Sequence, residues 1–245
     1  MKKILLFAIM LIFVQLLKAQ PSYSISGGIK MIEADQRTVS LFYIDESPSH
    51  DNLSTSGKKQ VGNMSYELAF RIQDHDINKK LHFFVDIEGY MGSINGLDLN
   101  SGFFFSDKNQ GKIKIQPEMS LLLGYSSNGI GEIENNSIYI QVNDTKFKDY
   151  TNVNVSLQNI YYGIKPGLRF IVKTGVKSEI GLGVNYQLSL KSGIINFSGT
   201  GEDGKSASDS ESLTESNVGF YVDGVKSNKI PYNPDGLEFK VFYSF

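Results

Sequence analysis

The chain has 245 residues, with 24 Lys+Arg balanced against 26 Asp+Glu and no cysteine; its length suits one large domain or two small ones. Balanced charge supplies no bulk field for nucleic acid. The absence of thiols excludes a disulfide frame, a thiolate metal site and a cysteine nucleophile, and the slightly polar mean hydropathy excludes a bundle of membrane helices.

The first twenty residues, MKKILLFAIMLIFVQLLKAQ, have a basic head at Lys2 and Lys3 and an apolar run over 4–17 broken only by Gln15. The run is shorter than the roughly 18–20 apolar residues of a membrane helix. It predicts a secretory signal peptide over 1–19, cut after Ala19, followed by one domain over 20–245. No cysteine follows to carry a lipid.

Beyond residue 20 the apolar period is two, the period of strands. Tyr23, Ile25, Ile29 and Met31 alternate with polar neighbours. The same holds for Met64 to Ile72, Leu81 to Met91, Ile113 to Tyr125, and a shorter stretch with Ile138, Ile140 and Val142. Two long alternating segments, 159–172 and 178–191, precede a last one, LEFKVFYSF, in which only Phe242 breaks the pattern. These segments predict an all-β, up-and-down antiparallel transmembrane barrel of eight strands. The apolar pieces 38–44 and 217–223 either extend the strands above the membrane or raise the count to ten. Apolar parity is odd over Val153, Val155 and Leu157 and even from Ile160. A one-residue slip exchanges faces, so a bulge or break is expected near Gln158 and Asn159. Short connections (74–80, 173–177, 126–134) alternate with long ones (34–61, 93–111, 199–235), as in barrels with short periplasmic turns and long outer loops. The polar stretch 201–216 reads as a mobile loop tip.

The polar face carries Lys30, Arg71, Lys112, Lys114, Lys165, Arg169, Lys191 and Lys240 with Glu67, Asp86, Glu88, Glu118, Glu179 and Glu238. An eight-stranded barrel is just wide enough inside for side chains to fill it. Mixed charges there form a paired network and a plugged lumen, whereas a selective pore calls for a ring of one sign. Gly163, Gly167, Gly181 and Gly183 leave room for the long side chains. The same alternation on a soluble sheet turns these charges to water.

The ending resembles the terminal strand of bacterial outer-membrane β-barrel proteins, and the order of turns and loops is similar to the OmpX- and OmpA-type eight-stranded family. That resemblance implies an assembly signal at Leu237, Phe239, Val241, Tyr243 and Phe245, read by the barrel-assembly machinery. It also implies a Gram-negative outer-membrane location with outer-membrane lipid as surroundings.

Little in the sequence points to chemistry. His50 lies beside Asp51 and near Ser47 and Ser49, a set that fits acyl transfer at a membrane rim but equally an ordinary polar loop. His75 sits between Asp74 and Asp76, and adjacent turn residues seldom converge on one ion; His82 points to the lumen. Phosphate loops, zinc spacings and Gly-x-Ser-x-Gly are absent. The expectation is a monomer without cofactor, catalytic residues or nucleic-acid partner. Its role is structural, adhesive or partner-docking, through long extracellular loops that offer a site to a protein partner. Two other readings compete: a soluble periplasmic or secreted barrel with an apolar ligand inside, and a rim-located lipid-modifying enzyme.

Overall fold

The computed structural model describes residues 21–34, 38–44, 52–56, 59–60, 62–74, 80–106, 112–134, 139–148, 151–175, 178–229 and 232–245. The segment read as a signal peptide lies outside them. Eight antiparallel strands form a closed ring: β1 (Pro21–Ala34), β2 (Met64–Asp74), β3 (Leu81–Gly92), β4 (Asn95–Phe105), β5 (Ile113–Ile133), β6 (Val153–Lys173), β7 (Glu179–Thr200) and β8 (Tyr232–Ser244). Each pairs with the next, and β8 returns to β1. The last bonds of the seam join the backbones of Tyr23 and Phe245, N to O at 3.1 and 2.9 Å. Closure leaves the ring without an edge strand.

The membership of the eight differs from the sequence reading. β4 lies within 93–111, predicted as a long loop, while Tyr139–Val142 pairs with Thr145–Lys148 as a hairpin outside the ring. The loop-like glycine of β4 has a packing reason. A Cβ at Gly102 would lie 2.2 Å from the Met119 carbonyl oxygen, so the close approach of β5 requires glycine there. Leu97, Phe103 and Phe105 alternate with buried Asp98, Asn100 and Phe104 as in any other strand of the barrel.

The register fixes the barrel's dimensions. Crossing from His82 through Phe104, Glu118, Gly167, Asn185, Glu238, Lys30 and Ser65 returns to β3 at Gly92, ten residues above the start. With eight strands about 4.8 Å apart and a rise of about 3.3 Å per residue, a stagger of ten sets a tilt of roughly 40° and a backbone radius of roughly 8 Å. Side chains fill such a bore.

Around the ring every strand turns large apolar side chains outward, among them Ile29, Leu68, Met91, Leu97, Leu123 and Ile164. The belt is continuous, with Leu68 67% and Met91 69% exposed. On β7 it runs from Ile180 to Leu190. Ten residues span about 34 Å along the strand, or roughly 26 Å in height at that tilt.

Above the belt the polarity inverts. Odd positions of β6 face inward over its whole described length: Lys165 and Arg169 below, then Asn159, then Leu157, Val155 and Val153, all buried. No slip occurs at Gln158 and Asn159, contrary to the sequence expectation. The apolar residues change face because the two ends of the strand meet different surroundings, while the backbone continues in phase. The one register shift of the β5–β6 pair lies higher, where Gly129 and Gly131 oppose Ser156 and Val155 and leave Ile130 as the extra residue. β7 shows the same inversion, with Leu188 and Leu190 outward and Ile195 and Phe197 buried inward.

The inward apolar residues of this upper part need a cover, and additional strands supply it. Asn52–Ser56 pairs with the top of β5, Thr38–Ile44 with Asn52–Ser56, and Val218–Val222 with Thr38–Ile44. The two short apolar pieces therefore pair with each other outside the ring of eight. Ser206–Ser212 pairs with the top of β7, so the stretch read as a loop tip contains a strand. Together with the hairpin they enclose a core of Leu41, Tyr43, Ile140, Phe147, Phe197 and Phe220, each at most 1% exposed. Phe197→Ala is expected to destabilise this upper unit by about 3–5 kcal/mol. Hydrogen exchange of the folded protein should then show lost protection at 195–222 with the lower strands of the ring still protected.

Candidate functional site

Among the described residues, the lumen is where chemically capable side chains concentrate. Within it Lys30, Arg71, Lys165, Arg169 and Lys240 are enclosed with Glu67, Asp86, Glu88, Asp98, Glu118 and Glu238, all under 9% exposed. Five cations against six anions in so narrow a bore are tolerable only if each charge is paired.

The pairs form two connected groups. In the upper group Lys30 Nζ lies 2.8 Å from Asp98 and 3.4 Å from Glu238, and donates to Gln187 at 2.7 Å. Lys165 Nζ bridges Glu88 at 2.5 Å and Glu238 at 2.9 Å. Lys240 Nζ meets Glu67 at 2.6 Å, Glu88 at 2.5 Å and Glu238 at 3.2 Å. The Tyr161 hydroxyl donates to Asp98, and the Tyr90 and Tyr161 hydroxyls are 2.5 Å apart. This chain ends against the apolar core above, to which Tyr90 belongs.

In the lower group Arg71 is held by two carboxylates, Asp86 at 2.6 and 2.8 Å and Glu118 at 2.7 Å. The planar fork of guanidinium suits such double pairing. Arg169 donates to Gln73 at 3.0 Å and stacks on Phe242, 3.9 Å from its ring centre, while Arg71 stacks on Phe84 at the same distance. Phe84, Phe104 and Phe242, with His82 stacked on Phe104 at 4.9 Å, lie buried beside this group. Phe242 thus breaks the alternation of the last strand because it turns inward and carries Arg169. A cavity of about 20 Å³ remains beside Arg71, Arg169 and Lys240, room for about one water.

Glycines at two points make the filling work. A Cβ on Gly124 would sit 2.2 Å from the Tyr161 ring, and one on Gly181 would sit 2.3 Å from Phe242. The missing side chains are spaces that the aromatic rings occupy.

Ten of the fourteen charges expected on the polar face stand in the lumen, and Lys112, Lys114, Glu179 and Lys191 are not among them. Lys112 precedes β5 and is exposed, so it is not a lumenal residue; its even parity suggested the inner face, but the strand begins only at Ile113. Lys114 and Glu179 pair with each other at 3.0 Å and are only partly buried. The side chain of Lys191 lies outside the described residues. Sequence reasoning missed Asp98, Tyr90 and Tyr161. Asp98 was legible in the alternation of Leu97 and Leu99 around it, had 93–111 been read as a strand.

Glu67, Glu88 and Glu238 bring carboxylate oxygens within 4.8 Å of one another, close enough for one cation. Lys240 already contacts all three and Lys165 two of them, so protein ammonium groups take that role. His50, His75 and the neighbours Ser47, Ser49, Asp51 and Asp76 lie outside the described residues. Leu237, Phe239, Val241, Tyr243 and Phe245 all face outward, exposed, on the belt.

No family model matches the chain, and no curated protein matches it. Among solved structures it is similar to a major outer membrane protein from Thermus thermophilus, with 11% identity, a TM-score of 0.45, and coverage of 92% of this chain and 99% of that one. It is also similar to the outer membrane protease OmpT from Escherichia coli, with 9% identity, a TM-score of 0.30, and coverage of 91% and 94%.

Removing one member of the network leaves its partners buried without countercharge, which typically costs about 3–5 kcal/mol. Lys240→Met is expected to lower the unfolding free energy by that much in urea titration of the detergent-folded protein. Lys240→Met with Glu88→Gln should recover part of the loss, since the second change removes an orphaned charge.

Proposed function

We propose that this chain is an integral outer-membrane β-barrel that conducts nothing through its lumen and anchors a small β-structure outside the bilayer. The observation that carries the reading is the unbroken apolar belt around all eight strands, with the charges enclosed behind it. A contiguous apolar surface of this extent marks contact with membrane or partner. Its height of roughly 26 Å matches the apolar band of about 25 Å on outer-membrane barrels. Tyr23, Phe70, Tyr243 and Phe245 cluster at its lower rim, with ring centres 6.0 to 6.2 Å apart, where an aromatic girdle belongs. A soluble barrel with an apolar ligand cavity requires the opposite orientation of these two faces.

In this reading residues 1–19 direct export, and the outward residues of β8 from Leu237 to Phe245 serve as the assembly signal. The end that holds Pro21 and Ser244 faces the periplasm. The upper unit faces the outside. The role is non-enzymatic: a monomer, needing no cofactor, holds a surface module in the membrane for structure, adhesion or docking of a protein partner.

The first test is gel mobility of outer-membrane fractions, boiled against unboiled. A closed membrane barrel gives a shift on heating, and a protein that stays soluble without a shift sinks the proposal. In planar bilayers the inserted protein should add no ion conductance above background, because apolar side chains plug the bore over a charged layer. Leu182→Arg, in the middle of the belt, should lower stability in lipid vesicles by about 2–4 kcal/mol.

A further inference from the structure

The two ion-pair groups of the lumen differ in their balance. In the lower group Arg71 and Arg169 stand with Asp86 and Glu118, two cations with two anions. In the upper group three ammonium ions stand with four carboxyls. Lys30 of β1, Lys165 of β6 and Lys240 of β8 meet Glu67 of β2, Glu88 of β3, Asp98 of β4 and Glu238 of β8, all under 9% exposed. Among the described residues, the ion contacts of the four carboxyls all come from these three ammonium groups. β7 faces the upper group with Gln187, which accepts from Lys30, and β6 adds the Tyr161 hydroxyl, which donates to Asp98. The charge of β5, Glu118, is taken by Arg71 below.

Glu67 is the least held of the four. Its one ion contact is Lys240 Nζ, which it shares with Glu88 and Glu238, and neither of its oxygens accepts a hydrogen bond among the described residues. Glu88 accepts from both Lys165 and Lys240, and Asp98 from Lys30 and Tyr161. Glu238 lies between three ammonium groups at 2.9 to 3.4 Å. Glu67 is 6% exposed and aims into the cluster where its oxygens, those of Glu88 and those of Glu238 come within 4.8 Å of one another. Carboxyls that share a dry site do not all ionise together, and an uncompensated charge in such a bore is costly.

We infer that the upper lumenal group holds one proton, on Glu67, and that this proton makes closure of the barrel sensitive to pH. With it in place, three carboxylates face three ammonium ions. Its loss leaves four against three directly beneath the apolar core and loosens the lumen from within. The unfolded chain does not share this proton, since a free glutamate ionises at about pH 4.3. From about pH 5.5 to about pH 7 the folded chain therefore binds one proton more than the unfolded chain, and this contribution to stability falls as pH rises. The inference concerns the inside of the bore and goes beyond the membrane reading.

The test compares urea unfolding of the full mature chain, folded in detergent, with that of Glu67→Gln. Between about pH 5.5 and about pH 7 the unfolding constant of the wild type should rise about tenfold per pH unit relative to the variant, because the other titrating groups are common to both. Infrared spectra of the folded wild type in D2O at neutral pD should show the C=O stretch of a protonated carboxyl. That band should vanish on alkaline titration and be missing from Glu67→Gln. A ratio that does not change with pH, or a wild type without the band, overturns the inference. If Glu67→Gln does not fold, the wild-type band and its alkaline loss decide alone. Stability that depends on sodium at fixed pH, without the band, assigns the balancing charge to a bound cation and overturns the proton. Heat-dependent gel mobility of the same samples reports the closed membrane barrel separately, so a barrel that shifts on heating but shows no band removes this inference and leaves the membrane reading standing.

Discussion

Closure of eight strands at a stagger of ten is the constraint on which the rest depends. It sets a bore of roughly 8 Å backbone radius, too narrow to hold a solvated interior and too wide to be left empty. Every inward position must therefore be filled by a side chain that its neighbours accommodate. The lower bore is filled by long charged side chains whose termini meet at 2.5 to 3.4 Å, and by aromatic rings lodged where glycines leave space. Because the pairs are buried, their worth lies less in net stability than in the penalty for any arrangement that separates them.

The second governing feature is a change of surroundings along single, continuous strands. β5, β6 and β7 run past the belt by eight, seven and ten residues, and their apolar residues move from the outer to the inner face while the backbone stays in phase. Where further strands cover the inner face, the hydrophobic effect favours an interior core. One strand thus carries its apolar residues outward along the lower ring and inward in the covered upper part. The added strands exist because the ring narrows to three tall members at this level, leaving Val153, Val155 and Phe197 in need of cover.

These two layers together fill the bore among the described residues. Lys30, Arg71, Lys165 and Lys240 meet carboxylates, Arg169 donates to Gln73, and the apolar core stands over them.

Much of the barrel was legible in the sequence because period-two alternation reports directly on a sheet with unlike faces. The outward set Leu237, Phe239, Val241 and Tyr243 and most of the lumenal charges follow from parity alone. Three things were not legible. β4 was hidden because Asn95, Gly96 and Gly102 resemble turn residues, and only the approach of Met119 shows that a glycine there is demanded by packing. The parity change in β6 looked like a bulge because a sequence records which residues alternate and not what lies outside them. Asp98, Tyr161 and Lys30 stand far apart in the chain, and only the register of the closed ring brings them together. Alternation within most strands follows from the residues alone, since it is a local property. The tertiary structure alone decided which strands close, where the faces exchange and which charges meet, because each of these depends on stagger between segments distant in sequence.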